Sequence, residues 1–463
     1  MIFGRKWRAR TFSGWNFLLM LVLLAGAPAL AGPETAGDPA AGSPEAGRVS
    51  LEQAVRMARE HGYLFRAAGL DRAGALQERR AALADFLPRV TANYSWTDLD
   101  EQPIMKSGGM TIPVADLTQY HWDVTVIQPL FTGFGLTSRL RMAGLKARVR
   151  EMEQRQAELD LVRDAKAAYF QLLLAGKILR VADQAVAALE SQEEDSRKFF
   201  DQELIPYNEL LRSQVALAGA RQQREQAAAA HKLAETGLNL LIGQESGAPV
   251  FPEDVDSVPE SDFDLQAITA QALGGRPLLL AGRLGLETLE KAVTAARSAY
   301  YPKVGAFASY EQNGNNPAAD ENDYSNRYNS AVGIKAEWEV FAWGRTRAEV
   351  ARVHFDLRAA RQRILALEDL VRLEVEQAYR SLLVAVRNVE TSLQAREQAR
   401  ENLRITRLQY HEQAATSTDV LNALTFLTQA DTDYYQALYG AMTAQAQLDR
   451  ALGKNPDTET PEE

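Results

Sequence analysis

Apolar and polar residues alternate along three short stretches of the chain. Val90, Ala92, Tyr94 and Trp96 alternate with Thr91, Asn93 and Ser95; Trp122, Val124 and Val126 alternate with Asp123 and Thr125. Further on, Val332, Ile334, Ala336 and Trp338 alternate with Gly333, Lys335 and Glu337. A period of two predicts strands with one apolar face. A half-buried soluble sheet would carry the same pattern, because the signal is weak in any one segment. The intervening stretches 98–119 and 312–327 are rich in Gly, Pro, Asn and Asp and read as exposed loops. Helices of medium length are predicted at 51–86 and 264–300, closed by Pro88 and Pro302, whose rings lack the N–H a helix needs. Two proline-free stretches follow the strands, Ser138 to Glu203 and Arg345 to Glu412, built mainly from strong helix formers. Each would be roughly 100 Å long at 1.5 Å per residue, too long for a compact domain to enclose. Returning helices are predicted at 207–242 and 418–452.

These elements occur twice in the same order. Phe131, Tyr169, Arg197 and Gly243 recur 210 residues later as Phe341, Tyr379, Arg407 and Gly453. Leu51, Pro88 and Val90 recur 214 residues later as Leu265, Pro302 and Val304, so one loop between 98 and 120 is four residues longer than its counterpart. The chain is therefore read as a duplication: repeat one at 50–243, repeat two at 264–453, and a linker at 244–263 that is acidic and holds Pro249, Pro252 and Pro259. Two medium helices laid end to end match one long helix in length, which predicts strands at one end, tight turns at the other, and an equatorial linker between the repeats.

Residues 1–31 combine Arg5, Lys6, Arg8 and Arg10, an apolar run from Phe17 to Leu24, and Ala29-Leu30-Ala31, the layout of a secretory signal peptide. The remainder, 32–463, is more acidic than the −10 of the whole chain, because the segment that leaves is basic. An acidic exported chain lacks the footprint that nucleic acid requires. With no cysteine there is no disulfide, thiolate metal site or lipoprotein anchor. Gly133-Phe134-Gly135 opens a helix after a strand but lacks the third glycine and the βαβ context of a dinucleotide site, so no cofactor is expected. His61, His121, His231, His354 and His411 are scattered without metal-ligand spacing, and no hydrolytic motif is present; an enzyme is not expected.

The order of several short motifs resembles the TolC-like outer-membrane efflux protein family across essentially all of 32–463. They are Ser50-Leu51-Glu52-Gln53-Ala54, Phe86-Leu87-Pro88, Gln128-Pro129-Leu130-Phe131, Arg276-Pro277 and Leu452-Gly453. The resemblance implies a mainly α fold: a long α-helical barrel, plus four strands per chain contributing to a small 12-stranded membrane β-barrel in a homotrimer. It implies an exit duct of a tripartite efflux or type I secretion system, set in outer-membrane lipid and reaching into the periplasm. The implied partners are a periplasmic adaptor (membrane fusion) protein and an inner-membrane pump or ABC transporter. Edge strands argue for the trimer independently, since four strands cannot close a barrel and open edges are not tolerated in lipid. The rival is a periplasmic coiled-coil adaptor, which would need one hairpin flanked by β-rich halves rather than two hairpins.

The resemblance also assigns residues at the two turns. A hydrogen bond between Tyr410 and Glu209 would hold a periplasmic iris gate shut, and Asp419 would form a ring of acids at its narrowest point. Leu204, Ile205 and Pro206 in the first turn and Ala414, Ala415 and Thr416 in the second would meet the adaptor. Pro206 suits the first turn of one returning helix, and Ser417 or Thr418 can cap the other. This chain departs from the family pattern in having Ala415 at an arginine latch, Asn422 at a second acidic ring, and Glu203 and Gln413 at the turn glycines. Solvated polar groups at helix ends are the plainer reading of these residues. Nothing in the sequence names a substrate.

Overall fold

The computed structural model describes residues 48–255 and 257–454; the expected signal segment lies outside them. In chain order the elements are β1 (Arg48–Val49), α1 (Leu51–His61), α2 (Tyr63–Ala84), β2 (Arg89–Asp98), β3 (Ile104–Ser107), β4 (Met110–Pro113), β5 (Thr118–Phe131), α3 (Gly135–Asp201) and α4 (Tyr207–Ile242). The second half continues with β6 (Phe251–Pro252), α5 (Leu265–Gly275), α6 (Pro277–Arg297), β7 (Lys303–Gly314), β8 (Tyr328–Glu337), α7 (Arg345–His411) and α8 (Ser417–Leu452). The fold is mainly α, and its tandem repeat is kept to the residue: α3 and α7 each have 67 residues, α4 and α8 each 36.

Four strands form one antiparallel sheet in the order β2-β5-β7-β8. Its register puts Asn93, Asp123, Glu311 and Asn329 in one row across all four strands. Asn93 Nδ2 donates to both Asp123 carboxylate oxygens at 3.1 Å, and Asn329 Nδ2 donates to Glu311 Oε1 at 3.2 Å. Alternation sends the neighbouring rows to the other face, which carries Val90, Tyr94, Trp122, Val124, Val332 and Ile334. That apolar face is open, with Val332 86% and Ile334 71% exposed. The edges β2 and β8 have no partner strand among the described residues.

Two expectations are corrected. The first loop is not irregular throughout: Gly108 and Gly109, at φ 60° and 85°, turn β3 into β4 as a hairpin inside the longer loop. Two successive positive φ values favour glycine at both places. The helices expected at 51–86 and 264–300 are each two helices. Gly62 separates α1 from α2, and a Cβ there would come 2.6 Å from Leu161. Arg276 is extended and Pro277 opens α6, as a residue before proline and a proline at a first helical position tend to do.

The helices stack end to end along the long ones. Against α3, α2 runs antiparallel near the sheet, with Lys146 on Glu78, and α4 runs antiparallel near the turn, with Gln214 on Glu193. The second copy repeats this: α6 lies along α7 through Arg283–Glu368, and α8 through Arg396–Asp431. At mid-height α4 ends at Gly243, where φ is 75° and His61 fills the space a Cβ would need. Here β1 pairs with β6, and Tyr169 donates its hydroxyl to the carbonyls of Val49 and Glu253 at 3.0 and 2.8 Å. Tyr169, Leu172, Leu238, Ile242, Leu438 and Tyr439 form the largest apolar core around that crossing. Asp254 of the linker pairs with Lys177 of α3 and accepts from Tyr439 of α8 at 2.8 Å, binding both copies.

Candidate gate at the hairpin turns

At the far ends of the long helices from the sheet, the two hairpin turns share one geometry at an offset of 210. Glu203 N–H donates to Phe200 O and Leu204 N–H to Phe199 O, as Gln413 N–H does to Tyr410 O and Ala414 N–H to Gln409 O. Such bonds close a helix through a left-handed residue, and Glu203 and Gln413 occupy that conformation at φ 62° and 61°. A glycine would adopt it without the steric cost an L side chain meets.

The returning helices start differently. Pro206 stands before α4 as its cap residue and makes no side-chain bond. Thr416, rather than Ser417 or Thr418, caps α8 in a reciprocal box: its N–H and Oγ1 reach Asp419 Oδ2 at 2.8 and 2.7 Å, while Asp419 N–H returns to Thr416 Oγ1 at 3.3 Å. The backbone N–H of Thr416, and then its hydroxyl, hold the exposed Asp419 carboxyl below its usual range.

Freed from capping, Ser417 turns inward. Its Oγ lies 3.0 Å from Ser213 Oγ of α4 and 3.5 Å from Ser196 Oγ of α3. Ser196 also meets Ser213 at 3.0 Å, Tyr410 Oη at 3.2 Å and Gln192 Nε2 at 3.3 Å. All five residues are buried, and Ser196, Ser213 and Ser417 are wholly so. Val420, Ala423, Leu424, Leu403 and Phe199 pack around them, with the Phe199 and Tyr410 rings 5.2 Å apart. Burial, chiefly, pushes the Tyr410 phenol up, with a smaller push from the Glu209 carboxylate.

Tyr410 and Glu209 thus converge on this knot, but within the chain they make no direct bond. Tyr410 takes Ser196, and Glu209 Oε2 accepts the N–H of Ser417 at 3.3 Å. Arg212 adds a bond to Thr418 Oγ1 at 2.8 Å. Hence the α3–α4 hairpin is tied to the α7–α8 hairpin by several short polar contacts, most of them sealed from water. Of the turn residues, Leu204, Pro206, Ala414 and Thr416 are exposed, whereas Ile205 is half-buried and Ala415 packs on the apolar cluster. Ser196, Ser213, Gln192 and Arg212 were not singled out from sequence. On a helix they look like any solvated face, and only the register of both hairpins brings them together.

No helix among the described residues is long and apolar enough to cross a membrane. The molecule is thus a short antiparallel sheet with an uncovered apolar face, set on two duplicated helical hairpins. The profile of the outer membrane efflux protein family matches residues 54–244 and 268–454, and the chain belongs to that family. It is therefore an outer-membrane protein whose helical body extends into the periplasm. It is 23% identical over 386 residues to outer membrane efflux protein BepC of Brucella suis, covering 82% of this chain and 80% of BepC. With outer membrane protein TolC of Vibrio cholerae it shares 24% identity over 327 residues, 68% of this chain and 72% of TolC. In fold it matches the outer membrane protein VceC of Vibrio cholerae with a TM-score of 0.75 at 18% identity, covering 87% of this chain and 96% of VceC.

Proposed function

We propose that three copies of this chain assemble into one outer-membrane exit duct with a periplasmic gate at the hairpin turns. The observation that carries this reading is the sheet: four strands, two unpaired edges and an open apolar face. In lipid such edges must pair, and pairing β8 of one copy with β2 of the next continues the antiparallel order. Two copies would give eight strands and a lumen filled by side chains; three give twelve and leave a passage lined by the Asn93–Asp123–Glu311–Asn329 row. Residues 1–31 would direct export. Repeats 50–243 and 264–453 would each supply one hairpin, with the linker 244–263 crossing at the equator. The serine knot would keep the two hairpins of each copy together, and Asp419 from three copies would ring the mouth. Leu204, Ile205, Pro206, Ala414, Ala415 and Thr416 would meet the tips of a periplasmic adaptor, which couples the duct to an inner-membrane pump or ABC transporter in a tripartite efflux or type I secretion system. Native mass spectrometry of the detergent-extracted protein tests the assembly. Three chains are expected; a monomer that retains its β-structure overturns the reading.

A further inference from the structure

Below the sheet, α2, α3 and α6 line an open groove of about 700 Å³. Its polar wall holds Arg72 and Arg79 of α2, Arg141 and Arg148 of α3, and Lys291 of α6, against two carboxylates, Glu151 and Glu287. Three nearby cations of α3 are neutralised: Lys146 by Glu78, Arg150 by Glu153 and Arg155 by Glu151. Arg79, Arg141, Arg148 and Lys291 have no ion-pair partner among the described residues. Arg72 has only Gln154, whose Oε1 lies at 3.5 Å. Glu151 is already engaged by Arg155, so the uncompensated charge of the groove is positive. The remaining lining is apolar, from Leu76, Leu140, Leu145 and Ala147, with Gly144 beside the stem of Arg79.

We infer that this groove binds an amphipathic organic anion, a drug-sized apolar body bearing a sulfonate, phosphate or carboxylate group. Like charges brought together without counter-ions repel one another, and an anion among them relieves that repulsion. Arginine presents its N–H donors in a fork that matches such oxyanions, and four of the five cations here are arginines. The leucine floor gives the apolar body a surface to leave water for, and the volume lies within the range of small-molecule sites. A fully hydrated inorganic ion would use the charges but not the floor. The occupant is a dissolved solute, since the groove is a recess between three helices of the periplasmic body rather than part of the lipid-facing sheet. This goes beyond the duct reading: binding is measured without transport, and its failure would leave pore formation and chain stoichiometry untouched.

The test is fluorescence anisotropy of pyrene-1-sulfonate with the full chain in phosphatidylcholine nanodiscs, beside the neutral pyrene-1-methanol. Saturable binding of the sulfonate alone is expected, weakened as salt screens the arginines. Arg141→Gln with Arg148→Gln should weaken it about tenfold, as loss of two largely exposed charge contacts would. Glu287→Gln, which removes the free carboxylate, should tighten it severalfold and guards against a variant that merely unfolds. Equal binding of the neutral probe, indifference to both sets of substitutions, or displacement by inorganic phosphate at the same concentration as by an excess of unlabelled naphthalenesulfonate would each overturn the inference. Loss of binding in phosphatidylglycerol nanodiscs at matched salt would make the groove a lipid headgroup site and overturn it as well.

Discussion

Replacing Ser196 by alanine removes the centre of the knot. The Ser196 hydroxyl touches Tyr410, Ser213, Ser417 and Gln192 within 3.5 Å, and Ser213 and Ser417 would keep each other at 3.0 Å. Tyr410 would keep only Gln192: its hydroxyl is buried against Phe199 and loses Ser196. Losing the centre of four buried contacts and leaving the Tyr410 hydroxyl under-satisfied costs about 1–3 kcal/mol, whereas Tyr410→Phe leaves Ser196 three other contacts and costs about 0.5–1.5 kcal/mol. If the hairpins part when the gate opens, Ser196→Ala shifts the closed–open balance of each chain by roughly 5- to 150-fold, more than Tyr410→Phe does. The double variant should be no worse than Ser196→Ala alone, because the under-satisfied hydroxyl is then gone. Single-channel open probability in planar bilayers is the assay, with thermal melting to confirm that the variants fold. Unchanged gating in Ser196→Ala, or a larger effect from Tyr410→Phe, would refute the reasoning.

Three other outcomes are expected. Glu203→Gly and Gln413→Gly each relieve a left-handed residue and should raise stability by about 1 kcal/mol, read as a higher melting temperature; a loss would show that those side chains hold the turns. Asp419→Asn keeps part of the helix cap but removes the charge, so cation selectivity and block by trivalent cations from the periplasmic side should both weaken. Because its carboxyl is held below the usual range, the wild-type preference should persist until the pH falls beneath that range. Tyr169 is pushed up to about 12, chiefly by burial. Its contribution is therefore intact below an ordinary phenol value near 10 and lost as pH rises through about 12, and Tyr169→Phe should flatten that alkaline limb of the melting profile.

The long helices and the strands were legible because their signals are local and repeated. Sixty-seven residues without proline or a capping break leave little but a helix, and the 210-residue register places the start of α7 from that of α3. The break at Gly62 was missed because one glycine inside a helical pattern is usually tolerated; here Leu161 of a distant segment decides it. The β3–β4 hairpin did leave a mark, Gly108-Gly109 between Met105 and Met110, diluted by its polar surroundings. The knot left none, because Ser196, Ser213 and Ser417 come from three helices and become a cluster only after both hairpins pack. Resemblance singled out Tyr410 and Glu209 as a bonded pair; within this chain the Tyr410 hydroxyl meets Ser196 and Glu209 accepts from Ser417 N–H, contacts set by residues the resemblance did not name.

The pairing of β2 with β8 between copies is the joint on which the duct account rests, and a chain without cysteine allows it to be tested cleanly. Thr91→Cys on β2 can be combined in turn with Asn329→Cys, Ala331→Cys and Lys335→Cys on β8, all on the polar face, and oxidised in intact outer membranes. The account predicts that at least one combination gives a covalent ladder that stops at three chains, while each single variant stays monomeric on denaturing gels. No crosslink in any combination, or a ladder that stops at two or continues past three, would contradict it.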